Sequence, residues 1–234
     1  MEQLIIPISI YIRSRWEPGK WPGEILRQLI LFPLLRLFTP WQVKGLENLQ
    51  GDGPFIFAAN HSSHLDAPVL LAALPLRWRM RLRVAAAADY FFNRPWKGAL
   101  LSWTLNLIPF VRKGEGCQAS LEEARRRLKI GQSLLLFPEG TRSPNGQLQS
   151  FKRGIGFLAT TTQAQVVPVW IEGTYRSFPK GARWPRRQPV TITFGQPISF
   201  RPNSRPEEVA AETERQVRRL GQVAGSPSQT SYAA

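Results

Sequence analysis

Six short apolar runs, at residues 54–60, 82–88, 107–111, 133–137, 166–171 and 190–194, recur through the chain. Each is too short for an ordinary helix and is bounded by Gly, Pro or polar clusters, so each reads as a buried strand. Helical segments lie among them. Residues 67–74 form a short one, with Pro68 tolerated in its first turn. Residues 120–129 carry Glu122 and Glu123 early, basic residues late and Gly131 after the end. That order suits the helix dipole and predicts Glu122–Arg126 and Glu123–Arg127 pairs. Ser204-x-x-Glu207 reads as a capping box opening a last helix to about residue 220, with a stripe of Val209, Thr213, Val217 and Leu220. The alternation predicts an α/β fold, a mostly parallel central sheet flanked by helices. Such sheets place their sites in loops at the carboxyl ends of the strands.

Outside this region the pattern changes. Residues 23–39 read as an amphipathic helix or a kinked pair, with Leu26, Ile30, Pro33, Leu34 and Leu37 on one side and Arg27 and Arg36 reaching water. Such a helix either packs on the domain or lies in a membrane interface, with Trp16, Trp21 and Trp41 around it. Arg27, Pro33 and Arg36 interrupt the most apolar stretch, which falls short of the roughly 20 clean residues a spanning helix needs. Residues 4–12 are apolar but short and lack a basic lead-in, so no cleavable signal is expected. The expected organisation is an N-terminal amphipathic helical membrane-associating segment (1–42), an α/β domain (43–203), and a C-terminal helix with a disordered tail (204–234).

Charge narrows the partners. Thirty-one Lys and Arg against 16 Asp and Glu give a formal +15, a field that attracts nucleic acid, anionic headgroups or phosphorylated substrates alike. Arg77, Arg79, Arg81 and Arg83 alternate with Trp78, Met80 and Leu82, which on a strand puts the arginines on one face. Arg183-Trp184-Pro185-Arg186-Arg187 is a second basic-aromatic cluster. The single cysteine, Cys117, excludes an internal disulfide and a cysteine-based zinc site, and fits a reducing compartment.

Two segments carry chemistry. Asn60-His61-Ser-Ser-His64-Leu-Asp66 joins a strand to a helix. On a straight helix His61 and Asp66 do not share a face. With His61 at the strand end and Asp66 in the first helical turn, the carboxylate can hold one imidazole nitrogen and leave the other as a base. A capped helix start with an incidental histidine, and a His61, His64, Asp66 metal site, remain open readings at this point. Phe137-Pro-Glu139-Gly140-Thr141-Arg142-Ser143 also follows a strand. Its small residues let backbone N–H groups approach an anion, and Arg142 can grip phosphate with two parallel hydrogen bonds. Glu139 can hold Arg142 or a glycerol hydroxyl. A plain surface turn is the other reading, since Ser143-Pro-Asn-Gly146 is turn chemistry.

Together these segments resemble the phospholipid/glycerol acyltransferase family, most closely its 1-acylglycerol-3-phosphate O-acyltransferases. That family carries Asn-His-x4-Asp and then Phe-Pro-Glu-Gly-Thr-Arg-Ser in this order. Ile108-Pro-Phe-Val-Arg112, Phe151-Lys-Arg-Gly154 and Val167-Pro-Val-Trp-Ile-Glu-Gly-Thr174 resemble further family blocks. Asn106 stands where the family often has glycine, and asparagine tolerates the left-handed conformation. Val111 stands where it often has an acid.

The resemblance implies a glycerolipid acyltransferase-like fold and transfer of an acyl group from acyl-CoA or acyl carrier protein to the sn-2 hydroxyl of 1-acylglycerol-3-phosphate. It implies His61 as general base and Asp66 as its partner. Backbone N–H groups near the helix start are candidate oxyanion donors. Arg112, Glu139, Gly140, Thr141 and Arg142 are implied as acceptor-binding residues, and Lys152 and Arg153 as contacts for the same phosphate or the donor's. No metal or bound cofactor is implied. The expected partners are the lysophospholipid, the donor and an anionic membrane surface. The expected location is peripheral or monotopic on the cytoplasmic face. Glycerol-3-phosphate, another lysophospholipid or an amino-lipid are the alternative acceptors. A nucleic-acid binder is the rival from another class; it leaves both segments unexplained, and no nucleic-acid partner is expected.

Overall fold

The computed structural model describes residues 21–88, 95–112, 114 and 116–225. Trp16, the apolar run at 4–12 and the expected disordered tail lie outside the described residues. The chain enters through helix α1 (Trp21–Leu26), a π-helical stretch (Arg27–Leu31) and α2 (Phe32–Phe38). Strands β1 (Trp41–Lys44) and β2 (Phe55–Ala59) follow, then α3 (Asp66–Ala73) and the one-turn α4 (Leu76–Arg79). Next come β3 (Leu82–Ala87), α5 (Pro95–Leu105), β4 (Leu107–Phe110), α6 (Gly116–Lys129) and β5 (Ser133–Leu136). The chain closes with α7 (Gly154–Thr162), β6 (Gln165–Glu172), the short α8 (Thr174–Ser177), β7 (Val190–Phe194) and α9 (Pro206–Gly225).

The strands form one sheet in the order β1-β7-β6-β2-β5-β3-β4. Every neighbouring pair is parallel except β6 with β7. β2 is wholly buried because both of its faces are covered. Phe55, Phe57 and Ala59 point into a core shared with α2 and α3, through Phe32, Leu35, Val69 and Leu70. Ile56 and Ala58 point the other way, to α6, α7 and α9, through Ala124, Leu128, Ile155, Leu158 and Val209. The helix after β2 therefore lies on one face and the helix after the adjacent β5 on the other. Their connecting loops diverge and leave a crevice at the carboxyl edge, where such sheets bind ligands.

The expected mostly parallel α/β sheet is present, and the domain boundary expected at 42/43 falls inside β1. Two local expectations fail, and a third holds in part. Arg77, Arg79, Arg81 and Arg83 are not one exposed strand face. Residues 76–79 are helical, and Arg79, Arg81 and Arg83 are buried. Arg79 pairs with Glu24 at 2.6 Å and donates to the carbonyls of Leu71 and Leu74. Burial pushes its guanidinium below the usual range, against the pull of Glu24. Arg81 donates to the carbonyls of Asp52 and Gly131, and Arg83 to Gln132. Arg27 does not reach water either. It is fully buried, pairs with Glu24 at 2.7 Å and donates to the carbonyl of Thr104. A guanidinium enters a core only where a carboxylate and carbonyls replace its hydration, and the meeting of distant segments supplies them here. On α6 the expected Glu123–Arg127 pair forms, but Arg126 also turns to Glu123 and Glu122 holds Arg125 instead. Both spacings bring side chains together on a helix.

The first helices are amphipathic in an inverted sense. Their inner side carries Glu24, Arg27, Phe32 and Leu35. Their outer side exposes Ile25, Leu29, Ile30, Leu34 and Leu37, with Leu29 72% exposed.

Candidate active site

His61 leaves the carboxyl end of β2 and Asp66 opens α3, so five residues double back on themselves. Asp66 Oδ2 lies 2.8 Å from His61 Nδ1 and accepts the backbone N–H groups of Ser62 at 2.7 Å and Ser63 at 2.8 Å. The carboxylate is fully buried, and its charge is met by these three donors on one oxygen. The imidazole stacks on Phe137, with centroids 4.0 Å apart and planes 18° from parallel. A hydrogen bond at one edge and a ring against one face leave His61 little rotational freedom. Because Asp66 takes the Ser62 and Ser63 N–H groups, these two do not serve as oxyanion donors. Sequence reasoning had offered the helix start for that role.

Neighbouring strands brace the loop. Asn60 donates to the carbonyl of Ile171 at 2.9 Å and accepts its N–H at 2.7 Å, tying the end of β2 to β6. Ser143 N–H donates to the carbonyl of His61. Glu139 is buried, and its two oxygens accept the N–H of His61 at 2.6 Å and of Gln149 at 2.9 Å. It thus joins the two motif loops from below and does not line the cavity. Burial pushes its carboxyl up to about 7, although both backbone donors favour the charged form. The folded state therefore binds a proton that the unfolded chain has released, and stability falls as pH rises from about 4.5 toward 7 before levelling off. The shift corresponds to something on the order of 3 kcal/mol. Glu139→Gln removes this titration. Urea midpoints of the variant relative to wild type are expected to rise between pH 5 and 7.5; a pH-independent difference would refute the linkage.

The crevice holds about 1740 Å³, above the roughly 300–1,000 Å³ of common small-ligand sites. His61, Arg112, Gly140, Thr141, Arg142 and Lys152 line it, with Arg153 at its rim. Arg112 donates to the carbonyl of Gly140 at 2.9 Å. Gly140 has φ +74°, a conformation that favours glycine, and the side chain of Lys152 lies over it, with its ammonium 2.6 Å from where a Cβ would stand. Two cations thus converge on the Gly140-Thr141 turn beside Arg142. Arg153 is mostly exposed and lies 3.5 Å from Glu207. Most of the remaining lining is apolar, among it Ala85, Ala86, Leu107, Phe110, Leu136 and Phe157. Asn106 takes φ +55°, the left-handed conformation expected of a residue in a glycine position. Sequence reasoning missed Asn60 as a clamp and Phe137 as the ring under His61. Their place immediately after β2 and β5 was the available signal.

A model of the Acyltransferase family matches residues 40–172. The chain is 34% identical over 165 residues to a chloroplastic 1-acyl-sn-glycerol-3-phosphate acyltransferase, LPAT1, of Arabidopsis thaliana, a match covering 68% of this chain and 42% of that one. It is 39% identical over 186 residues to a 1-acyl-sn-glycerol-3-phosphate acyltransferase of Cocos nucifera, covering 79% of this chain and 57% of that one. The chain spans about half the length of these relatives. Among solved structures, the 1-acyl-sn-glycerophosphate acyltransferase PlsC of Thermotoga maritima superimposes with a TM-score of 0.71 at 27% identity, covering 93% of this chain and 88% of that one.

Proposed function

The chain belongs to the acyltransferase family, and from that premise we propose that it moves a fatty acyl group from acyl-CoA or acyl carrier protein to the sn-2 hydroxyl of 1-acylglycerol-3-phosphate. The observation that carries this is His61, held through Nδ1 by a buried Asp66 at 2.8 Å and lining a cavity where cations meet apolar walls. With Nδ1 committed, Nε2 takes the proton of the acceptor hydroxyl as its oxygen attacks the thioester carbonyl. The imidazolium is stabilised by Asp66. Collapse of the tetrahedral intermediate forms the ester, breaks the carbon–sulfur bond and returns the proton to the thiolate. Arg112, Arg142 and Lys152, at the Gly140-Thr141 turn, bind the acceptor phosphate, and Arg153 guides phosphates at the rim. Glu139 acts through the loops it joins and not by touching substrate. The apolar walls suit fatty chains, and the chemistry needs no metal or bound cofactor.

The acceptor must come from a bilayer. Among the described residues no helix is long and apolar enough to cross a membrane. The outward face of α1 and α2 offers Ile25, Leu29, Ile30, Leu34 and Leu37, and Leu100 and Trp103 of the adjoining α5 are exposed as well. Such a face suits a helix lying in the interface plane. Peripheral docking through this face, on the cytoplasmic leaflet, is part of the same proposal.

Transfer from labelled acyl-CoA and acyl carrier protein to lysophosphatidic acid, glycerol-3-phosphate and lysophosphatidylcholine in micelles tests the proposal. Lysophosphatidic acid is expected to be the preferred acceptor, and Arg142→Ala to raise its KM with a smaller change in kcat. Preference for an acceptor without a phosphate monoester would overturn the assignment of the cationic cluster.

A further inference from the structure

Residues 173–206 contain seven Lys and Arg and no Asp or Glu. Much of that charge stands in the connection at 178–189, after α8. Arg183, Arg186 and Arg187 are exposed there, and among the described residues none of them is ion-paired. Between them Trp184 is 82% exposed, the most exposed large apolar side chain described. A tryptophan so placed gains nothing from the fold. It is suited to the headgroup layer, where a polar edge and an apolar ring are both satisfied.

The connection is pinned. Arg186 N–H donates to the carbonyl of Ser177, and the Ser177 hydroxyl donates to the carbonyl of Arg186, both at 2.7 Å. Its far end reaches the apolar helices, where Gln188 N–H donates to the carbonyl of Phe38 at 2.9 Å. Its near end reaches the catalytic loop, where the Ser63 hydroxyl donates to the carbonyl of Phe178 at 2.7 Å. Lys180, between these anchors, lines the cavity itself. The basic-aromatic surface therefore continues the exposed face that ends at Leu37 and Phe38, and leads to the mouth of the site.

We propose that residues 178–189 are a second docking surface, one that takes the headgroups of an anionic phospholipid leaflet and turns the cavity mouth toward it. This rests on the membrane reading of α1 and α2 and adds to it a selectivity for negative surface charge. The apolar face supplies affinity for any bilayer; the three arginines distinguish anionic from neutral ones. An arginine near an anionic surface is worth about fivefold in binding, so three give on the order of 100-fold.

Vesicle sedimentation of the full chain tests this, with phosphatidylcholine alone and phosphatidylcholine containing phosphatidylglycerol, at low and high salt. Wild type is expected to prefer the anionic vesicles by about that factor at low salt and to lose most of the preference at high salt. R183Q/R186Q/R187Q should abolish the preference while leaving neutral-vesicle binding and transfer in detergent micelles unchanged. L29S/L37S should weaken binding to both vesicles. A triple variant that keeps the full anionic preference overturns the inference. Wild type that binds duplex DNA in the same salt-dependent way, but not anionic vesicles, overturns it as well. An L29S/L37S variant that binds both vesicles like wild type refutes the apolar-face reading instead, and leaves the arginine result to decide the present one.

Discussion

His61→Ala should lower kcat for acyl transfer by about 10²–10⁴-fold, the contribution typical of a positioned base. The effect belongs in kcat because the imidazole acts on a proton in flight, while acceptor binding is assigned to Arg112, Arg142 and Lys152. The fold should survive. The side chain is 20% exposed, and after its loss Asp66 still accepts the N–H groups of Ser62 and Ser63. Single-turnover rates with labelled donor, together with a urea midpoint, separate the two. Retention of more than a tenth of wild-type activity by a folded variant would remove His61 from the mechanism.

Asp66→Asn is the second large effect and isolates charge from shape. All three donors converge on Oδ2, and Oδ1 is buried without a hydrogen-bond partner. An asparagine that puts its oxygen in the Oδ2 position keeps the three hydrogen bonds and the histidine tautomer. What it loses is the negative charge that stabilises the imidazolium, and its amide enters the unpartnered position. A drop in kcat of about 10–10³-fold is expected, since an opposite charge in contact favours the charged form of a group by about 1–3 pKa units. The buried amide should cost about 1–3 kcal/mol of stability. A variant with wild-type kcat and lowered stability would make Asp66 a loop brace and nothing more.

The parts of this protein that were legible in its sequence are those fixed by short spacings. Runs such as 54–60 and 133–137 identify themselves as strands because a fully buried strand must be apolar on both faces. The pairing of His61 with Asp66 follows from a strand end meeting a helix start five residues on. The stripe of Val209, Thr213 and Val217 on α9 is buried as its helical period requires. Helix α7 shows where local rules mislead. Gly154 and Gly156 lower the local helix propensity, yet both lie in the helix, and position 156 is glycine because a Cβ there would meet the backbone of Pro206. Its glycine serves a close approach between helices that are far apart in sequence.

The same distinction governs the charged residues. Arg27, Arg79, Arg81 and Arg83 read as surface because burial of a guanidinium is costly, and the partners that offset the cost lie on other elements: Glu24 for α4, the carbonyl of Thr104 for the π-helical stretch, that of Gly131 for Arg81. The family resemblance implies Glu139 as a substrate ligand, and a glutamate in a polar loop ordinarily faces solvent. Its contact with the His61 N–H exists only because β2 and β5 are neighbours in the sheet. Sequence alone determined the alternation of strands and helices, the pairing of His61 with Asp66, and the family. Tertiary structure decided which charges are buried, which apolar side of α1 and α2 faces outward, and how two loops 78 residues apart brace one histidine. The reason is physical: a local pattern specifies conformation and period, whereas the hydration a side chain loses, and the partner that replaces it, depend on which distant segments pack against it.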